Sequence, residues 1–175
     1  MVTIAAPAPE HAPLIEDLLD HAFGLDRRRK TSYRYRYGVA PVVSLSRVAL
    51  SGEVLLGSIQ FWPARLGSET VLLLGPIALW AGHVGQGVGS CLMRAALAAA
   101  KEDGWRFVFL VGDPAYYRRF GFQPASTWGV VMPGEDPDRF QGYCLTDAEP
   151  PAGNLFPVTA LQDTRSIKKA KIPLV

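Results

Sequence analysis

The sequence has few of the residues that hold metal ions or form disulfide frameworks. It contains two cysteines and three histidines in 175 residues. Cys91 and Cys144 stand alone, with no Cys-x-x-Cys pair and no nearby histidine pair, and zinc sites need such pairs. We therefore expect neither a structural metal nor a disulfide framework.

Long apolar runs are also absent. No run approaches the roughly 18 to 20 apolar residues of a membrane-spanning helix. The first ten residues lack the basic start and the apolar middle of a signal peptide. We therefore expect a cytoplasmic protein that has no membrane partner.

Basic residues are scarce outside one short segment. Of 18 basic residues, six fall between Arg27 and Arg36, which leaves 12 basic against 16 acidic residues elsewhere, a balance of −4. A nucleic-acid-binding protein more often carries basic residues along a whole face. The segment could contact RNA through its arginines and tyrosines, but a solvated loop or helix face is the simpler interpretation. We expect no nucleic-acid partner.

Apolar residues are plentiful enough for one hydrophobic core. They make up 49% of the sequence, against 19% charged residues, and about 100 to 200 residues usually form one domain. Residues 1–145 are predicted to be a single domain. Prolines, glycines and mixed charges dominate residues 146–175, so this tail is predicted to be irregular and to pack on the domain or extend from it.

The order of predicted elements indicates an α/β fold with a mostly antiparallel sheet. Ser51-Gly52 predicts a hairpin, and Gly75-Pro76 predicts a bulge or a splayed strand. A strand, a helix and a strand between residues 70 and 111 imply one parallel crossover. The structure of residues 26–37 is left open. Strands are predicted at 2–5, 42–50, 53–66, 70–79, 105–111 and 140–145, and helices at 9–23 and 87–103, with a short one after Pro114.

The most informative segment is the glycine-rich turn at the head of the second long helix, residues 84–90 with the sequence V-G-Q-G-V-G-S. Alternate glycines let a ligand approach the backbone, and the first N–H groups of a helix are unpaired. Such a turn binds phosphate. A P-loop would need a lysine at Val88, and the dinucleotide fingerprint would need a glycine at Ser90. Both of these phosphate sites are therefore disfavoured.

Two motifs together resemble those of the GNAT acetyltransferases. The glycine-rich turn is similar to the family's acetyl-CoA motif, Q/R-x-x-G-x-G/A, with Val84 in place of the opening Gln or Arg. Residues 111–122, V-G-D-P-A-Y-Y-R-R-F-G-F, resemble the family's Y-x-x-x-G-F segment in the G-D-P-x-Y-Y-x-R-F-G-F form of one subgroup. The motifs occur in the family's order and separation, over residues 74–122.

The resemblance implies a GNAT-type mixed sheet flanked by helices, which opens between the strand ending at Leu79 and the strand ending at Val111. It implies an N-acetyltransferase that moves the acetyl group of acetyl-CoA to a primary amine by direct attack in a ternary complex, without a metal. The residues implied to bind the cofactor are Ile77, Ala78, Leu79, Val84, Gly85, Gln86, Gly87, Val88, Gly89, Ser90, Asp113 and Tyr116.

The resemblance also assigns one catalytic residue. Tyr117 holds the position of the tyrosine that protonates the departing thiolate, although it could instead be an ordinary packed aromatic. The general base is not identified, because residues 71–79 contain no carboxylate. Asp113 could instead cap the helix that follows it. The candidates by chemistry alone are Glu69, Glu53, Asp113 and His83.

A second function stays open at this point, a non-catalytic acyl-CoA-binding module of the same fold, because Val84 and the missing strand carboxylate depart from the family pattern. Cys91 is expected to be a small buried residue of the helix and not a nucleophile. In GNAT folds the segment after the first helix borders the acceptor pocket, so residues 26–37 could line it. The acceptor is not specified, and a homodimer is compatible with the sequence.

Overall fold

The computed structural model describes residues 1–158. These residues form an α/β fold in which a mostly antiparallel sheet lies between helices, as the sequence predicts. The strands are β1 Val2–Ala5, β2 Arg47–Ser51, β3 Val54–Leu66, β4 Glu69–Leu79, β5 Phe107–Val111, β6 Gln123–Pro124, β7 Val130–Val131, β8 Phe140–Cys144 and β9 Gly153–Pro157, and the helices are α1 His11–Phe23, α2 Val88–Glu102 and α3 Pro114–Tyr117.

The main sheet has the strand order β1-β2-β3-β4-β5-β8-β6. Adjacent strands in this path are antiparallel, except β4 and β5, which are parallel and joined through α2. This is the crossover that the strand-helix-strand order predicts, since parallel neighbours need a long connection. No helix within residues 1–158 is long and apolar enough to cross a membrane.

The central hairpin of β3 and β4 carries the predicted irregularity. The register shifts between Ile59 and Phe61, opposite Gly75-Pro76. Gly75 has a φ of 127°, which residues with a Cβ rarely adopt, and Pro76 has no N–H to donate to a ladder. The predicted bulge is therefore confirmed.

The sheet opens between β4 and β5. These strands pair only at Leu72 with Val108 and at Leu73 with Phe109. Beyond those pairs, β4 continues beside β3 alone and β5 beside β8 alone. The opening that the resemblance implies is present, and it begins at the bulge.

Helices cover both faces of the sheet. On one face, Leu92, Met93 and Ala96 of α2 are fully buried in the largest apolar cluster. On the other face, Leu18 and Leu19 of α1 are buried in a smaller cluster. Burying one such leucine contributes roughly 1.5 to 3 kcal/mol, so α1 and α2 are held by packing against the strands that flank the opening.

Two predicted boundaries are wrong, one because of a local turn and the other because of a long-range strand pairing. The strand predicted to start at residue 42 starts at Arg47, because the N–H groups of Leu45 and Ser46 both donate to Val42 O and form a turn. The tail predicted to be irregular contains β9, which pairs with residues 64–66 of β3. The edge of β3 is available there because β2 pairs only with residues 54–59 of β3. Residues 159–175 of that tail lie outside the described residues.

Candidate active site

A cavity of about 710 Å³ lies where β4 and β5 separate. One side, here called the strand wall, comes from β4 at the bulge, the end of β5, and α3. The other side, here called the loop wall, comes from the segment after α1 and the loop before β8. The strand wall consists of residues 73–77, 111–113, 116 and 117, and the loop wall of residues 23, 29–33, 36, 135 and 139.

The end of β4 turns backbone groups toward the opening. The N–H of Trp80 donates to Leu56 O at 3.0 Å, so by the alternation of an antiparallel ladder Ala78 pairs with β3. The N–H and C=O groups of Ile77 and Leu79 then point away from β3, toward the side where β5 has diverged. Ile77 itself lines the cavity. Ala78, which the sequence grouped with them, has its side chain buried against the α1 side.

The glycine-rich turn leads into α2 next to this opening. Gly85 and Gly87 have φ of 81° and 83°, and a Cβ at either position would meet nothing within 4 Å. The N–H of Cys91 donates to Gly87 O at 3.0 Å, so the N–H groups of residues 88–90 precede the first bond of the helix. The turn therefore presents free N–H groups beside open space.

Side chains hold the turn in place without filling that space. Gln86 Nε2 donates to Gly82 O at 2.7 Å, and the side chain of Val84 is exposed. A Cβ at Gly89 would lie 3.2 Å from the hydroxyl oxygen of Tyr116. Tyr116, which lines the cavity, therefore joins the turn to the strand wall.

Tyr117 occupies the strand wall of the same cavity. Its ring lies against Tyr116 at 4.9 Å and Phe122 at 6.0 Å between ring centres. A Cβ on Gly112 would be 2.2 Å from the Tyr117 ring, so glycine is required there for the ring to approach the backbone. Burial raises the pKa of Tyr117 to about 12, with further contributions from Tyr116 and Asp113. The phenol is therefore protonated near neutral pH.

Asp113 combines a cavity position with a structural role. Its Oδ1 accepts the N–H of Ala115 at 3.0 Å, so it is the N-cap of α3, where Pro114 takes the first helical position. The expectation that Asp113 caps this helix is confirmed. Asp113 also lines the cavity, on the same wall as Tyr117.

The other candidate bases lie elsewhere. Glu69 is at the start of β4 and pairs with Arg106 at 3.0 Å, while Glu53 lies in the turn between β2 and β3. His83 is in a 3-10 turn before the glycines, and none of these three residues lines the cavity. The sequence missed Glu135, which does line it. Its loop has no periodic pattern, so no local signal could have found it.

The segment after α1 forms two 3-10 helices, Leu25–Arg29 and Thr31–Tyr35, that build most of the loop wall. Arg27 attaches it to α1 through ion pairs with Glu16 and Asp20. Arg34 Nη2 donates to Pro133 O at 2.7 Å, and Thr31 Oγ1 to the neighbouring Gly134 O. Residues 29–33 and 36 of this basic segment thus line the cavity, as one of the two interpretations of the sequence allowed.

Neither cysteine nor any metal-binding group joins the site. Cys91 is exposed, where a buried residue was expected, because it lies on the side of α2 that faces away from the sheet. Cys144 is partly buried and free. Within residues 1–158, no three side chains of the metal-binding types His, Cys, Asp and Glu lie together.

Comparison with known sequences shows the family. The family described as "Acetyltransferase (GNAT) domain" matches residues 44–124. The uncharacterised N-acetyltransferase YhbS of Escherichia coli K12 is 31% identical over 148 residues, which cover 82% of this chain and 87% of YhbS.

Solved structures agree with that match. The chain resembles the Escherichia coli YhbS structure in complex with CoA, with a TM-score of 0.76, 28% identity and 88% of each chain covered. It also resembles a GNAT family acetyltransferase from Brucella melitensis in complex with acetyl-CoA, with a TM-score of 0.71, 25% identity, and 92% of this chain and 98% of that chain covered. The chain therefore belongs to the GNAT acetyltransferase family and is an N-acetyltransferase.

Proposed function

We propose that the protein transfers the acetyl group of acetyl-CoA to a primary amine by direct attack, with both substrates bound at once. The observation that carries this proposal is the joint position of the opened strand edge at Ile77 and the phenol of Tyr117 in one cavity. Direct attack needs a polarised carbonyl and a proton donor for the leaving group in one place. Relatives of the same fold that hold CoA or acetyl-CoA support the choice of acyl donor.

The residues on either side of the opening fit such a donor. The free N–H groups from Gly85 to Ser90 suit a pyrophosphate, because a helix N-terminus favours negative charge. The space that a Cβ at Gly85 or Gly87 would enter is clear. The outward backbone groups of Ile77 and Leu79 suit the amides of an extended pantetheine arm, which would pair with them as an added strand does.

Tyr117 and Ile77 then act on the two ends of the reacting bond. The N–H of Ile77 polarises the thioester carbonyl, and the amine nitrogen attacks its carbon. Tyr117 donates its phenolic proton to the sulfur as the carbon–sulfur bond breaks. Burial raises the pKa of Tyr117, and the same burial raises the pKa of the thiol that forms beside it. The pKa difference that the proton transfer must overcome is therefore smaller than the difference between a buried phenol and a thiol in water.

The amine must lose a proton, and two carboxylates of the cavity are placed to receive it. Asp113 and Glu135 both line the cavity. Asp113 uses one oxygen as the cap of α3, and Glu135 Oε1 accepts the N–H of Asp136 at 3.1 Å, so each keeps a second oxygen for water or substrate. We propose that the proton leaves through one of them, directly or through water.

A panel of primary amines with acetyl-CoA tests the proposal. Release of CoA thiol is followed with and without each amine, and the acetylated product is identified by mass spectrometry. The proposal expects acceptor-dependent thiol release that matches product formation. Tight CoA binding without turnover of any amine would contradict it and favour the non-catalytic acyl-CoA-binding module.

A further inference from the structure

The guanidinium of Arg36 is a part of the cavity that acetyl transfer itself does not use. Its Nε and Nη1 atoms are inaccessible to solvent and have no hydrogen-bond partner among residues 1–158. The indole Nε1 of Trp62 is buried in the same way. Arg36 Cζ lies 5.8 Å from the centre of the Trp62 ring. Two neighbouring side chains therefore hold buried N–H donors that lack an acceptor.

Arg36 belongs to the loop wall, and its guanidinium lies beside the bulge of β4. Its Nη2 lies 3.5 Å from the position of a Cβ on Gly75, which is two residues before Ile77. It lines the 710 Å³ cavity and also a second cavity of about 330 Å³, which Trp62 lines too. Arg36 therefore lies beside the strand edge where the proposed reaction occurs.

The burial of Arg36 is costly as it stands. A buried charge is expensive unless it is paired, and a buried donor without an acceptor loses its bonds to water. Burial lowers the pKa of Arg36 to about 10, a shift that Tyr33 partly opposes, so the guanidinium is still charged near neutral pH. The Tyr33 ring, 4.2 Å from Cζ, offsets part of the cost through a cation–π contact. A carboxylate that binds Nη2 together with Nε or Nη1 would offset the rest, because each of these pairs has parallel N–H groups.

The charges of the larger cavity favour the same kind of ligand. Its lining carries four basic side chains and two acidic ones. The balance is positive, which attracts anions to the cavity. The basic side chains are Arg29, Lys30, Arg36 and Arg139, and the acidic ones are Asp113 and Glu135.

We propose that Arg36 binds a carboxylate of the acceptor, so the acceptor is a compound that carries both a primary amine and a carboxylate. This inference rests on the proposed acetyl transfer. A guanidinium presents two parallel N–H groups that match the two oxygens of a planar carboxylate. With the carboxylate held beside Gly75, the amine of the same molecule is directed along β4 toward Ile77.

Matched probes test the charge requirement by binding. The CoA complex is titrated with 4-aminobutanoate against butylamine, with lysine against 1,5-diaminopentane, and with β-alanine against phosphoethanolamine, and the thermal shift is read. We expect the carboxylate member of each pair to give the larger shift. Equal shifts within the first two pairs, or a larger shift with phosphoethanolamine than with β-alanine, would overturn the carboxylate assignment.

Arg36→Gln and Arg29→Gln separate this contact from general attraction. Both variants remove one positive charge from the cavity, but Arg29 is exposed and only Arg36 has buried free donors. We expect Arg36→Gln to weaken binding of the carboxylate probes by about tenfold or more, in line with a hydrogen-bonded charge, and to leave CoA affinity unchanged. Arg29→Gln should change the affinity for the carboxylate probes by about twofold at most. Similar losses in the two variants would refute the specific contact.

The binding readout keeps this inference distinct from the proposed function. If the carboxylate probes bind through Arg36 but no amine of the panel, with or without a carboxylate, is acetylated, the acetyl-transfer proposal fails and the carboxylate site stands. If amines without a carboxylate are acetylated as fast as their carboxylate partners, acetyl transfer stands and the carboxylate site fails. Each result therefore decides one claim.

Discussion

The strand wall and the loop wall of the larger cavity offer a ligand different kinds of group. The strand wall offers backbone groups near Ile77, with one phenol from Tyr117, and the glycine-rich turn extends it with more backbone N–H groups. The loop wall offers charged side chains, above all Arg36. Backbone groups suit binding of the acyl donor, which is the same in every turnover, whereas side chains can select an acceptor. Binding of the acyl donor and choice of acceptor should therefore be separable by mutation.

The largest expected effect falls on the glycine-rich turn. Gly87→Asp should abolish CoA binding, because it places a negative charge where two phosphates are proposed to lie. Isothermal titration calorimetry measures the loss, and circular dichroism checks the fold. Gly87→Asn is the matched control, since Asn has the same shape and also tolerates the left-handed conformation. CoA affinity unchanged in the Asp variant would remove the pyrophosphate from this turn.

The next effect tests the phenol of the strand wall. Tyr117→Phe removes the proton donor and keeps the ring, so turnover should fall by about 100-fold to 10,000-fold, the range of general-acid catalysis. CoA affinity should stay within a few-fold. Tyr116→Phe makes the same change on the adjacent residue and should keep most of the turnover. Wild-type turnover in Tyr117→Phe would leave Tyr117 as a packed aromatic only.

A third prediction compares two arginines of the same segment. Arg27 is 2% exposed and bonded to Asp20 and Tyr33 at 2.7 Å and also to Glu16, while Arg36 has buried nitrogens without partners. Arg27→Gln should lower the free energy of unfolding by about 1.5 to 3 kcal/mol, as expected for lost charged hydrogen bonds. Arg36→Gln should leave it unchanged or raise it. Urea unfolding measures both, and an equal loss of stability in the two variants would show that Arg36 is structural.

The smallest effect concerns an alkaline fall in turnover, which should be absent. The pKa of Tyr117 is raised to about 12 by burial, so the phenol stays protonated and able to donate well above pH 8. Turnover should rise with pH as the amine deprotonates and should not fall before about pH 10. An alkaline fall with an apparent pKa near 9, lost in Tyr117→Phe, would contradict this environment.

The raised pKa of Tyr117 also makes the stability of the folded protein depend on pH. Because the folded pKa of Tyr117 lies above the ordinary value of 10.0, its contribution to stability is present below about pH 10 and is lost as the pH rises toward 12.

The sequence predicted the strand wall well because its signals are local. The bulge follows from Gly75-Pro76, and the phosphate-type turn follows from the spacing of Gly85, Gly87 and Gly89 before a helix. The opening between β4 and β5 was implied by resemblance. The bulge and the turn each depend on residues that are close in sequence, so a short pattern is enough to reveal them, whereas the opening lies between strands that are far apart in sequence.

The loop wall could not be predicted in the same way. Arg34 and the Pro133 carbonyl that it contacts are 99 residues apart, and Glu135 reaches the cavity only because β8 pairs with β5. The strand β9 was missed for the same reason, since it is defined by the free edge of β3. The cluster of arginines was visible, but which arginine is paired and which is free depends on α1 and on the bulge.

The central claim is that the amine attacks the acetyl group directly while both substrates are bound. Initial rates, measured with the best amine varied at several fixed concentrations of acetyl-CoA, test it most directly. Direct attack with both substrates bound gives double-reciprocal lines that intersect, and it leaves no acetylated protein after incubation with acetyl-CoA alone. Parallel lines together with a covalent acetyl-protein would indicate a ping-pong reaction through an enzyme nucleophile and would contradict the account.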